Sequence, residues 1–483
     1  MISIKKIKIR YENLSIELKA AIWYTICNVG QKGINMLVVP IYTRLLSASE
    51  YGRYSVFLSW LEIFEIIVTL RLFSGAYIVG LTKYSDDKYS YTSSLEVLSL
   101  VVTTFFLGIY LLFTDGINGL TEMDTTITVF IFLIMYATPI ANFWKGWQRV
   151  ENKYIQMVVL TLACTFFTPF LGILGIVFLK KEAEIIIFAR TIVEILTAIL
   201  LLIFFRKLFL SKIKLSYCIY GLRTNIPLIP YYLSTMVLSH SDRIVIQQIV
   251  GDKEAGIYSV AYSVSMIMLL FNTALNNSLQ PWLFKSLKKQ EVKDIPKITN
   301  ISVVFFAGLN LMVVFFAPEI IKIFAPAEYY EAIWIVPPVV ASVLIMYIYQ
   351  QFINVEFYYE EGKMTAIASV GAAVLNVALN LAFIPWVGYL AAGYTTLASY
   401  IIFAILHYVF MIRICKKHGQ NAKLYDIKTI LLILLVFGGV TIVALATYTH
   451  LWIRYTILAI ALILIVIKRN TIMQIARTLI SMK

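Results

Sequence analysis

The chain has 483 residues, 60% of them hydrophobic and only 14% charged, with a mean hydropathy of +0.81 and a formal net charge of +14. About half of an ordinary globular sequence is polar, so a water-soluble fold of this length cannot hide so much apolar surface. Composition therefore excludes a soluble domain and points to a chain that uses the bilayer as its solvent.

The N-terminus is basic (Lys5, Lys6, Lys8, Arg10) and the first apolar run covers 20–42. That run is too long for a signal-peptide core and no small-x-small cleavage site follows it, so it reads as an uncleaved first span. Apolar runs follow at 55–81, 93–113, 127–144, 155–179 and 184–205. Each can cross about 30 Å of hydrocarbon as a helix. A basic stretch, 206–223, separates them from a second series at 224–250, 257–280, 298–324, 332–355, 365–385 and 389–412. A last pair, 429–447 and 451–467, brings the expectation to about fourteen transmembrane helices. The prolines at 139, 169, 227, 230, 337 and 338 fit such helices, because neighbours in a bundle satisfy the freed carbonyls. Cys27 and Cys164 fall inside spans, and Cys218 and Cys415 in segments assigned to the cytoplasm, so no disulfide framework is expected. His240, His407, His418 and His450 have no metal-ligand spacing, and no cofactor is implied.

Charge sets the orientation. Of the 41 basic residues, 30 fall on the N-terminal side of these spans and five on the opposite side. By the positive-inside rule both termini of this multi-pass protein are cytoplasmic. The net charge is then topological; its partner is an anionic leaflet of membrane lipids, and no nucleic acid is implied.

An internal repeat organises the spans. Glu50-Tyr-Gly52-Arg-Tyr54-Ser55 and Glu254-Ala-Gly256-Ile-Tyr258-Ser259 share E-x-G-x-Y-S at a separation of 204 residues. Both open the helix after a short outer loop, where Gly suits a tight turn and Tyr the interface. Six spans per copy make the halves parallel. The expected division is a six-helix lobe over 1–215, a second over 216–415, and a helix pair with a cytoplasmic tail over 416–483.

Four stretches carry a family likeness: Arg44-Leu-Leu-Ser-Ala-Ser-Glu-Tyr-Gly-Arg-Tyr-Ser55; Asp242-Arg243 with Gly256-Ile-Tyr-Ser259; Gln280-Pro-Trp-Leu-Phe-Lys285; and Leu375-Asn376-Val-Ala-Leu-Asn380-Leu-Ala-Phe-Ile-Pro385, followed by Gly388 and Gly393. Here the chain resembles the polysaccharide-exporting branch of the multidrug/oligosaccharidyl-lipid/polysaccharide transporter superfamily, in particular the Wzx-type O-antigen flippases. The resemblance implies an all-α, V-shaped, MATE-like two-lobe fold with alternating access. It also implies translocation of an undecaprenyl-diphosphate-linked glycan for O-antigen or capsule assembly, with a polysaccharide polymerase and a chain-length regulator as partners.

Six basic residues remain inside the spans: Lys32, Arg71, Arg190, Arg243, Lys322 and Arg454. A charge at mid-membrane costs at least about 2.5–3.5 kcal/mol, so each should face the bundle interior or water. Lys322 and Arg454, near span ends, are expected to snorkel. Lys32 and Arg71 are the best cationic lumen residues for a diphosphate, with Arg243 beside Asp242 and Arg190 one turn from Glu194 as further contacts or structural ion pairs. Glu62 and Glu65 share a face of the second span; either they couple transport to an ion, as Asp242 also can, or they neutralise Lys32 or Arg71. Glu356 is expected at the interface, and Asn376 and Asn380 to hydrogen-bond a neighbouring helix.

No phosphate-binding loop exists, since Gly362-Lys363 lacks the upstream glycine and position 357 is Phe. The longest outer loop, 114–126, is too short to house a catalytic site, so no enzyme is expected. Two other readings stay open: a cation or drug antiporter of the same fold, whose pocket should be acidic and aromatic, and a membrane-embedded lipid-linked-sugar polymerase or ligase.

Overall fold

The computed structural model describes residues 14–419 and 424–467. The first basic residues, Lys423 and the tail from 468 onward lie outside the described residues. Among those described, all regular structure is helical. Two compact units divide at Met236/Val237, and the helix pair that the sequence set apart belongs to the second. The division thus falls inside the seventh span, about twenty residues beyond the expected position at 215.

The first unit contains α1 (Ile16–Leu45), α2 (Ala48–Thr69), α3 (Gly75–Lys83), α4 (Lys88–Leu112), α5 (Thr114–Thr121), α6 (Thr125–Val150), α7 (Tyr154–Phe178), α8 (Ala183–Phe204), α9 (Arg206–Phe209) and α10 (Leu215–Asn225). The division falls within α11 (Ile229–Ile249). The second unit then runs through α12 (Asp252–Lys289), α13 (Ile295–Phe315), α14 (Ala317–Phe324), α15 (Val336–Tyr358), α16 (Gly362–Val387), α17 (Ala391–Lys417), α18 (Ile427–Ala446) and α19 (Leu451–Ile467).

Local chemistry places the helix starts. Ser15, Ser47, Asp124 and Asp426 each accept a backbone N–H in the first turn of α1, α2, α6 and α18. In α2, Glu50 occupies the capping-box position, but its carboxylate reaches across to accept from the Ala183 amide at 2.6 Å. One side chain therefore ties the starts of α2 and α8 together. In the second unit α15 is the buried centre, packed by α12, α13 and α17. Pro337 and Pro338 lie in its first turn, where missing N–H groups cost nothing.

Each of the fourteen expected spans contains helix, but among the described residues ten helices are long and apolar enough to cross a membrane, so a count of fourteen is not established. The expected spans outside that set are the first, second, seventh and last. The first, second and seventh are those that carry Lys32, Glu62 with Glu65, and Asp242 with Arg243.

Several details differ from the sequence expectation. The repeat glycines Gly52 and Gly256 lie inside α2 and α12 without positive φ, so the motif is a helix start and not a turn. The basic linker 206–223 forms two short helices, α9 and α10. Ser93 donates to the Leu208 carbonyl, and Ser93 and Ser94 accept from the Ser211 and Lys214 amides, stapling the linker to α4. Glu356 is fully buried, not interfacial: it meets His407 Nδ1 at 2.7 Å and accepts from Thr365 at 2.8 Å, joining α15, α16 and α17. Arg454 does not snorkel. It is buried against Glu319, because an acid on α14 lies within its reach.

Candidate substrate path inside the two units

The second span is interrupted where its charge is densest. α2 stops at Thr69, and Leu70 (φ 50°) and Arg71 (φ 47°) both take left-handed conformations before α3 begins. Two consecutive non-glycine residues there cost about 1–2 kcal/mol each, which marks a functional constraint. Thr69 and Ser74 hold the break: Arg71 N–H donates to the Thr69 hydroxyl (3.2 Å) and Ser74 donates to the Arg71 carbonyl (3.0 Å). The turn folds Arg71 back toward its own helix. Its Nε lies 3.5 Å from Glu65 Oε2, and its guanidinium lies 5.5 Å from the centre of the Tyr232 ring. Both partners of the pair keep some access, at 22% and 14% exposure.

Glu62, Arg190 and Glu194 also act electrostatically on Glu65, so the structure gathers five charged residues of α2, the break and α8. Arg190 forms no ion pair with Glu194 among the described residues, and its Nε is buried without a partner. It hydrogen-bonds Tyr54 of the repeat motif instead. The cluster holds three carboxylates and two guanidiniums, with Glu65 beside Arg71. Lys32 stands apart: it is exposed, with no ion pair among the described residues.

The second unit treats its charges differently. Asp242, 1% exposed, accepts from Tyr258 (2.5 Å), Thr396 (2.7 Å) and Asn380 (2.6 Å). Asn376 accepts from Ser241 and donates to Thr396, and Thr395 donates to Asn380. Arg243, 8% exposed, donates to Ser259 (3.1 Å) and the Ser239 carbonyl (3.2 Å) and lies over the Tyr262 ring at 4.3 Å. No carboxylate lies within ion-pair distance of it among the described residues. Tyr258 and Ser259, the end of the second repeat motif, hold Asp242 and Arg243, as Tyr54 holds Arg190 in the first.

The family described as "Polysaccharide biosynthesis protein" matches residues 18–287, more than half of the chain. The chain belongs to this polysaccharide biosynthesis family. It is 22% identical over 402 residues to "Lsg locus putative protein 1" of Haemophilus influenzae, covering 77% of this chain and 94% of that protein. Among solved structures it is similar to the lipid II flippase MurJ in an inward closed conformation (TM-score 0.68, 14% identity, 93% of this chain and 100% of that one). It is also similar to an inward-facing multidrug resistance MATE family transporter of the MOP superfamily (TM-score 0.62, 13% identity, 83% and 100%). The chain is thus a multi-pass membrane protein, all-helical among the described residues, with a MATE- and MurJ-like fold.

Two features of this family member escaped the sequence reading. Lys145 belongs to the body of α6, half-buried and hydrogen-bonded to Asn142 (3.4 Å), and it acts electrostatically on Cys27 of α1 and Cys164 of α7. Arg149, one turn on, lies over the Tyr24 ring at 5.6 Å. The i, i+4 spacing of Lys145 and Arg149 was the available signal, hidden because both fell in a segment assigned to the cytoplasm. The second feature is an apolar groove of about 470 Å³ between α15, α17 and α18, lined by Pro338, Ile345, Ile401, Leu434 and Phe437 among others. It depends on three helices distant in sequence.

Proposed function

We propose that this protein is a flippase that carries an undecaprenyl-diphosphate-linked oligosaccharide repeat unit from the cytoplasmic to the outer leaflet of a bacterial inner membrane, for O-antigen or capsular polysaccharide assembly. Both termini lie in the cytoplasm, and the flipped unit passes to a polysaccharide polymerase under a chain-length regulator. The observation that carries this reading is the strained break that holds the Arg71 guanidinium between α2 and α3, within the second expected span.

The diphosphate bears roughly two negative charges that cannot be shed cheaply in a low-dielectric medium. Arg71 offers a bidentate fork, and Lys32 and Arg190 of the same unit add cations. In the empty protein Glu65 balances Arg71. When the diphosphate takes that place, Glu65 and Glu62, one turn apart, lose their counter-charge and become the coupling carboxylates. The membrane potential supplies the drive: a charge of −2 leaving a negative interior gains up to about 5 kcal/mol at 100 mV.

The cluster's excess carboxylate favours a second reading, a cation or drug antiporter of the same fold. Reconstitution with defined lipid-linked glycans separates the two. Flipping that follows an imposed potassium–valinomycin potential supports the flippase; cation efflux without flipping supports the antiporter, and polymer formation would sink both.

A further inference from the structure

The first unit holds another acid, which the charged cluster does not use. Glu96 of α4 is 2% exposed, and neither carboxylate oxygen has a hydrogen-bond partner among the described residues. Thr92, Glu96, Ser99 and Thr103 recur at helical spacing and line one buried face of α4. The hydroxyls of Ser99 and Thr103 are likewise unpartnered, although hydroxyls in helices commonly bond back to a carbonyl. At the near end, the Thr92 hydroxyl meets the Tyr77 hydroxyl at 2.9 Å. From Thr92 to Thr103 the seam covers about 16 Å of helix, half the thickness of a hydrocarbon core.

The helices packed on α4 add polar atoms but no counter-charge. Tyr77 of α3 is the titratable group in electrostatic contact with Glu96. Asn225 of α10, and Gln148 and Trp144 of α6, each keep an unpartnered buried polar atom. Several other ionisable groups on these elements are engaged elsewhere. Glu62 and Glu65 of α2 belong with Arg71; Lys83 lies over Tyr84 and Tyr220; Lys88 pairs with Glu151, and Lys214 and Tyr217 with Asp87. Lys207 of α9 lies over Tyr89, Cys218 of α10 donates to the Ser94 carbonyl, and Lys145 of α6 bonds Asn142. Among the described residues Glu96 forms no ion pair.

An acid that bonds nothing does not hold the fold together, and leucine would fill its place more favourably. An isolated carboxylate in apolar surroundings is so costly that the group takes up a proton instead. An ionisable residue kept in such a position inside a membrane is a functional site by default. We propose that Glu96 is a proton-binding site of the transport cycle, loaded and unloaded along the seam Thr92, Glu96, Ser99 and Thr103. The step is simple: the carboxylate takes one proton to become the neutral acid, and returns it when the seam opens to water. The coupling part rests on the transporter reading; the binding of a proton at Glu96 does not.

The test is carbodiimide labelling of the full chain in proteoliposomes, with the adduct mapped by mass spectrometry across neutral to alkaline pH. Dicyclohexylcarbodiimide attacks protonated carboxyls in apolar sites. The expected result is an adduct at Glu96 whose yield falls about tenfold per pH unit above its titration point. No adduct at Glu96 at any pH, or a yield independent of pH, overturns the proposal, and this arm needs no variant to fold. In the transport arm, Glu96→Gln removes the response of glycan flipping to an imposed pH gradient and Glu96→Asp retains it. An unchanged response in Glu96→Gln overturns the coupling role. A titrating adduct in a protein that flips no glycan keeps the proton site and discards the flippase reading, so the two failures are told apart.

Discussion

The two units answer the same problem, a charge inside a membrane, in opposite ways. In the first, acids and guanidiniums meet each other across a broken helix, with strained backbone and partial access at Arg71 and Glu65. In the second, Asp242 and Arg243 meet neutral donors and acceptors in a nearly closed interior. Both use the tyrosine of the same repeated motif for the purpose. An ion pair can exchange one partner for a diphosphate without exposing a bare charge, whereas a carboxylate saturated by three short hydrogen bonds cannot be stripped cheaply. Under the proposed function, the first unit exchanges ligands and the second stays put.

The largest effect should come from breaking the second unit's network. Asp242→Ala removes the acceptor of three donors and leaves Arg243 buried with its nearby charge gone. We expect a loss of about 3–5 kcal/mol, read as failure to accumulate in the membrane or a collapse of Tm in detergent. If this variant accumulates normally and loses only export, the second unit is not the rigid partner.

Arg71→Ala should do the reverse. Export of surface polysaccharide should fall roughly ten- to hundredfold, corresponding to a charge-assisted contact of about 1.5–3 kcal/mol, with membrane abundance unchanged. Arg71→Lys should retain part of the activity, because it keeps the charge but loses the fork. Lys32→Ala tests the isolated cation in the same way. Normal export in both alanine variants would leave these residues as structural charges.

The repeat offers a matched pair of smaller perturbations. Tyr258→Phe deletes one donor to a buried carboxylate and should cost about 1.5–3 kcal/mol of stability. Tyr54→Phe, beside the half-buried Arg190, should cost less stability and more transport. Equal Tm losses would erase the contrast between the units.

Much of this was legible in the sequence, because composition and periodicity report the solvent of each face. The all-helical membrane fold, the family likeness, and the charged residues Glu62, Glu65, Arg71 and Arg190 all came from residue type and position. What stayed hidden depends on neighbours. The break at Leu70 carries no Gly or Pro, so nothing local announced it; tertiary contacts hold Arg71 in place. Glu356 looked interfacial because only the fold brings His407 and Thr365 to it. Arg454 lay near a span end, where snorkelling is the ordinary expectation, until Glu319 was found beside it.

The smallest effect belongs to a pair outside the spans, which sets the baseline for all the others. Glu361, between α15 and α16, accepts from Lys417, and that ammonium holds its carboxyl below the usual range. A depressed carboxyl contributes stability that is present above the ordinary glutamate value, about 4.3, and is lost as the pH falls through the lowered one. Lys417 is 66% exposed, so water and salt screen the pair. Glu361→Gln should therefore lower Tm barely at neutral pH and not at all in strong acid, with the neutral difference vanishing at high salt. The chemistry matches that of Arg71 with Glu65, an acid beside a base, so the two pairs differ mainly in solvent. If Glu361→Gln and Glu65→Gln shift Tm equally and with the same salt dependence, then Glu65 is bathed in water as Glu361 is, and the low-dielectric argument for the first unit fails.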